Sequence, residues 1–163
     1  MNTVGQVIAE LNRIKGSLVA LKKSKALIGI FAENDARTDG DSNRRIGYEH
    51  EFGTKKVPRR SFLADPIMSY AQSEDGRSVV SEALRQHFDS GELDPLEEIG
   101  YGLKQSVDHA FLVEGYPDKW DRLAKRTIRK RARYGVYTRE LTTVLTETGQ
   151  LAAAVSVKVT KAR

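Results

Sequence analysis

The sequence predicts an α+β fold, in which a small, mainly antiparallel sheet packs with several helices and long loops. Three observations lead there. An apolar stripe at helical spacing opens the chain, short segments of strand character lie near residues 26–32 and 155–159, and helical stripes return between them. The 163 residues suffice for one compact domain, residues 1–163, and are short for two.

Val4, Val7, Ile8, Leu11, Ile14, Leu18 and Leu21 recur at the spacing of one helix face. Asn2 or Thr3 suits the N-cap, and Lys22, Lys23 and Lys25 suit the negative end of the helix dipole. Residues 26–32 follow, apolar, rich in strand formers and too short for a core helix, so they read as a buried strand. With no clear hairpin partner nearby, this strand is expected to share a sheet with the alternating segment Val155, Val157, Val159. The Leu11, Ile14 and Leu18 face of the first helix is expected to cover that sheet.

Residues 33–45 are polar and carry Asp35, Arg37, Asp39, Gly40, Asp41 and Asn43, the composition of an exposed, mobile loop. Residues 46–52 suit a short helix stopped by Gly53, and a basic turn with Lys55, Lys56 and Pro58 comes next. Phe62, Leu63, Ile67 and Met68 form the apolar side of another helix. Val79, Val80, Ala83, Leu84 and Phe88 form a further stripe, ended by Gly91. Asp94 and Pro95 are a cap and a first helical residue for the stripe of Leu96, Ile99, Leu103, Val107, Ala110 and Phe111. Gly100 and Gly102 interrupt that helix, and a close crossing would explain them. Residues 116–139 look long and irregular.

Composition excludes several function classes. Without cysteine there is no disulfide, thiolate metal site or thiol nucleophile. No apolar run approaches a membrane span, and none at the N-terminus resembles a signal peptide, so a soluble chain made in a reducing cytoplasm is expected. A hydrophobic fraction of 39% is low for a globular chain and suits one that completes its packing against copies of itself. His50, His87 and His109 lack metal-ligand spacing, and Glu49, His50 and Glu51 are helix neighbours that point apart. The chain has no nucleophile elbow, P-loop, dinucleotide fingerprint or EF-hand loop. Neither an enzyme nor a cofactor is expected.

Charge is uneven. Residues 115–163 hold twelve Lys and Arg against four Asp and Glu, a net +8, which leaves −3 for residues 1–114 in a chain of +5. Arg122, Lys125, Arg126, Arg129, Lys130, Arg131, Arg133 and Arg139 occur with no acid between them, and Tyr134 and Tyr137 are interleaved. One reading is contact with a polyanion or an acidic partner, by charge neutralisation and stacking. The other is a solvated face or a subunit contact. No sequence-specific nucleic-acid motif is present.

His50-Glu51-Phe52-Gly53-Thr54 is followed by Val57-Pro58-Arg59-Arg60-Ser61-Phe62-Leu63. Trp120, Leu123, Thr127, the basic run, Thr148-Gly149-Gln150-Leu151 and the last strand come later in that order. From about residue 26 onward this ordered set resembles the tail-completion and head–tail joining (neck) proteins of tailed bacteriophages, with Arg60-Ser61 standing where the family usually has arginine-proline. In physical terms, Phe52 is expected to close the core under the turn. Gly53 permits a positive φ, Pro58 stiffens the exit, and Phe62 and Leu63 anchor the next helix. Arg59 and Arg60 either reach a neighbouring subunit or are solvated.

The resemblance implies a virion protein, made in the bacterial cytoplasm, at the head–tail junction or the top of the tail. It implies a homo-oligomeric ring of six copies, or twelve where it abuts the portal side, in contact with other neck, portal-side or tail-tube proteins and with no membrane. On this reading Asp35, Arg37, Asp39 and Asp41 lie at a ring–ring contact, and the basic run faces an acidic rim or, transiently, DNA in the channel. The alternative is a nucleic-acid-binding module, without sequence specificity, built on the basic C-terminal third.

Overall fold

The computed structural model describes residues 3–90, 94–135, 142–145 and 148–161. Among them the order is α1 (Val4–Lys22), β1 (Ser24–Ile30), a 3-10 turn (Ala32–Asn34), α2 (Asn43–Phe52), α3 (Ala64–Gln72), α4 (Glu74–Ser90), α5 (Pro95–Val113), α6 (Lys125–Arg133), α7 (Gln150–Ala154) and β2 (Val155–Lys161). The fold is α+β, and its sheet has two antiparallel strands.

β1 and β2 pair along their whole length, from Ser24 opposite Lys161 to Ile30 opposite Val155. The pleat sends Ala26, Ile28 and Ile30 of β1 and Val155, Val157 and Val159 of β2 to one face. That face is covered by α5, whose other side packs against α3 and α4. Both α5 glycines stand at close approaches. A Cβ on Gly100 would lie 2.5 Å from Val157 Cγ1, and one on Gly102 would lie 2.4 Å from Val79 Cγ1, so the first glycine admits β2 and the second admits α4. Asp94 caps α5 by accepting from the Leu96 N–H, with Pro95 in the first turn. The core is Phe62, Val107, Phe111, Leu151 and Val155, ringed by Ile28, Ile30, Ile46, Leu63, Ile67 and Trp120.

Two expectations are corrected here. α1 does not cover the sheet. Thr3 and Gln6 close its capping box as the sequence suggests, yet none of its 19 residues is buried. Leu11 is 60% exposed and Leu18 49%. The cause is connection length: Lys23 alone separates α1 from β1, too short a link to fold the helix back, and α5 already holds the apolar face of the sheet. The second correction is α6, a helix inside the stretch that reads as irregular. Gly91 lies outside the described residues.

The polar loop is braced rather than loose. The Asp35 carboxylate accepts from Ser42 Oγ at 2.7 Å and from the Arg44 N–H at 2.8 Å. Arg37 pairs with Asp39, Arg44 with Asp35, and Arg45 with Asp41. Asn43 is buried, and Gln150 Oε1 accepts from the Thr38 N–H at 3.0 Å, tying the loop to α7.

Candidate interaction site

Two neighbouring features concentrate the chemistry: the turn between α2 and α3, and the basic helix α6 with a pocket beside it. The turn is built on Glu51. This residue is 6% exposed, and its carboxylate accepts from Ser61 Oγ at 2.6 Å and from the N–H groups of Phe62 and Leu63 at 3.0 Å and of Ala64 at 3.1 Å. It satisfies donors that the start of α3 would otherwise leave orphaned, at the end of the helix that favours negative charge. Gly53 ends α2 at φ 73°, where a Cβ would lie 3.0 Å from the Arg59 nitrogen. The Thr54 N–H donates to the Val57 carbonyl at 2.8 Å, and the Arg60 N–H to that of His50 at 2.7 Å. Trp120 Nε1 donates to the Ser61 carbonyl at 3.0 Å, and its ring meets Phe111 edge-on at 5.6 Å.

Phe62 is buried as expected, but Phe52 is not: it is 63% exposed, and its ring lies tilted against that of exposed Tyr48 with centroids 4.8 Å apart. The inward position at the end of α2 belongs to Glu51, because the facing surface is a row of N–H donors and not an apolar wall. Pro58 is exposed, and Gly149 caps α7 at φ 67°.

The two motif arginines diverge. Arg59 is exposed and pairs with Asp65 at 2.7 Å. Arg60 is 5% exposed, so it is not solvated, and what it leaves open lines a pocket rather than the outer surface. Its Nε donates to the Asp121 carbonyl at 3.0 Å and its Nη2 to the Arg122 carbonyl at 3.4 Å. It has no ion pair among the described residues, and burial pulls its guanidinium below its ordinary pKa.

Helical periodicity sorts the basic run. Thr127, Ile128 and Arg131 turn inward, while Lys125, Arg126, Arg129, Lys130 and Arg133 are exposed, as are Arg122 and Tyr134. None of those five exposed α6 cations forms an ion pair among the described residues. Arg131, expected in contact with a polyanion, is 5% exposed and donates to the Thr143 carbonyl at 2.8 Å, which anchors the helix. Lys130, Arg131 and Arg133 occupy the last turn, where the dipole favours cations. Arg139 and Tyr137 lie outside the described residues.

Between α6, α2 and the 56–60 turn is a pocket of about 610 Å3. Among the described residues its charged lining is Arg37, Lys56, Arg60, Arg122 and Arg131 against one carboxylate, Asp121, and Ile46, Val57, Leu123 and Leu151 supply apolar wall. His50 also lines it. Burial, reinforced by the nearby Arg60 charge, pushes the imidazole pKa down to about 4, so the ring is neutral near pH 7. Its Nδ1 is buried with no hydrogen-bond partner. Sequence reasoning missed this pocket, since its cations come from four separate stretches of chain.

Among the described residues no three His, Cys, Asp or Glu side chains are placed to share a metal ion, and no helix is long and apolar enough to cross a membrane. Compared with family models, curated proteins and solved structures, the chain shows no match.

Proposed function

We propose that this chain is a structural protein of a tailed-phage virion, at the head–tail junction or the top of the tail, which works by forming a homo-oligomeric ring and docking to neighbouring rings, without chemistry of its own. The observation that carries the reading is α1. A helix of 19 residues with a continuous apolar stripe and no buried residue is incomplete as part of a monomer, and assembly with other copies would cover it. The motif resemblance supports the same reading, since the α2–α3 turn is a rigid, internally bonded clamp suited to holding a contact surface in place. The test is light scattering and negative-stain imaging of the purified full chain over a range of concentrations. Rings are expected, and a chain that stays monomeric throughout refutes the proposal.

The second reading, binding to nucleic acid without sequence specificity, is favoured by the five exposed α6 cations that lack ion-pair partners among the described residues. Strong, salt-dependent DNA affinity by the monomer would support it over the first.

A further inference from the structure

Burying a guanidinium costs free energy unless an anion or a full set of acceptors compensates it. Arg60 is 95% removed from solvent where it lines the pocket, and the acceptors found for it are two backbone carbonyls. Lys56 and Arg122 stand at the rim, both exposed. His50 lines the same pocket, and its buried Nδ1 has no hydrogen-bond partner. Arg37 is already paired with Asp39, but Arg60, Lys56 and Arg122 outnumber Asp121, the one carboxylate among the described lining residues, and the walls are partly apolar.

We propose that this pocket receives an extended acidic segment of a partner protein, with a carboxylate directed at Arg60 and an adjacent apolar side chain against Ile46, Leu123 and Leu151. Shape favours a peptide over DNA. Duplex DNA is a stiff rod with a persistence length of about 50 nm, which carries its phosphates on a convex surface. A concavity of about 610 Å3 admits a side chain and its neighbours but not that rod. The chain's own acidic loop meets the pocket only at Arg37, which Asp39 already engages, while Asp35 and Asp41 are paired with Arg44 and Arg45 outside the lining. The proposal is independent of ring formation, so either can fail alone.

The experiment titrates the full chain with three fluorescein-labelled probes: an alternating glutamate–leucine octapeptide, its glutamine–leucine counterpart, and a single-stranded oligothymidylate. The acidic peptide should saturate at one per chain and bind at least about tenfold more tightly than the glutamine peptide. Lys56→Gln and Arg122→Gln, exposed and therefore harmless to folding, should each weaken it about threefold. Arg126→Gln and Arg129→Gln, on the outer face of α6, should leave it unchanged. In NMR spectra the His50 ring signals should move on binding, and the imidazole pKa should rise as a carboxylate enters. Equal binding of the two peptides would overturn the proposal. So would loss of binding in the outer-face variants alone, or an oligothymidylate that binds as tightly as the acidic peptide and shows the same sensitivity to Lys56→Gln and Arg122→Gln.

Discussion

Replacing Glu51 by Ala should be among the most destabilising single changes in this chain. The carboxylate is 6% exposed and accepts four hydrogen bonds between 2.6 and 3.1 Å, one from Ser61 Oγ and three from backbone N–H groups at the start of α3. The Ser61 hydroxyl can rotate to another acceptor, but the three N–H groups cannot move without unwinding the helix. Each buried donor left unpaired costs about 1–3 kcal/mol, and water entering the vacated space recovers part of that. Three unpaired N–H groups, less what water recovers, give about 4 kcal/mol for Glu51→Ala. Glu51→Gln keeps a carbonyl acceptor and should cost about half as much, whereas Ser61→Ala removes one bond and should cost about 1 kcal/mol. Urea unfolding followed by circular dichroism measures all three. With a slope of about 2 kcal/mol per molar, Glu51→Ala should lower the midpoint by about 2 M. A midpoint within about 0.5 M of the parent would refute the account of the turn as a clamp built on this carboxylate.

Acid should destabilise the fold through His50. Its folded pKa of about 4 lies below the unfolded value of 6.5, so between these pH values the unfolded chain binds a proton that the native chain does not. Stability from this group is therefore level above pH 6.5 and falls as the pH drops toward 4, by about 1–2 kcal/mol after allowance for the ring's partial exposure. Unfolding midpoints at pH 7 and pH 4.5 should differ less for His50→Gln than for the parent, and an identical acid loss would count against the assignment. On α1, Leu11→Asp with Leu18→Asp should shift the thermal midpoint little, since both side chains are largely exposed, while abolishing higher oligomers in light scattering. Oligomers that persist would place the assembly surface elsewhere. Reversing Arg126, Arg129 and Arg133 to Glu should leave the monomer folded, because all three point outward, and should impair particle assembly or DNA passage. The same change should flatten the salt dependence of any DNA binding, by about 0.9 in log–log slope for each phosphate that is no longer neutralised. Particles that assemble and infect normally would reduce this face to a solvated one.

What the sequence determined by itself is what short-range chemistry controls. The apolar period and the Thr3–Gln6 capping box specify α1, Asp94 and Pro95 start α5, and Gly53 stops α2. β1 and β2 were legible as partners because each is apolar and neither has a local hairpin mate. α6 was not legible, because a single strongly apolar residue, Ile128, marks its inner face while charges fill the rest. Only tertiary structure decided which of two adjacent residues at the end of α2 turns inward. Hydrophobicity favours Phe52, but the surface met there is a row of N–H donors, so Glu51 is buried and Phe52 remains in solvent. The same holds for Arg60 and Arg131, which are drawn inside by carbonyls of Asp121, Arg122 and Thr143. α1 kept its helix but not its expected place, because a one-residue link and the prior claim of α5 on the sheet are facts of three-dimensional connection. Periodicity records that a face is apolar, whereas the identity of what covers it depends on groups distant in the chain.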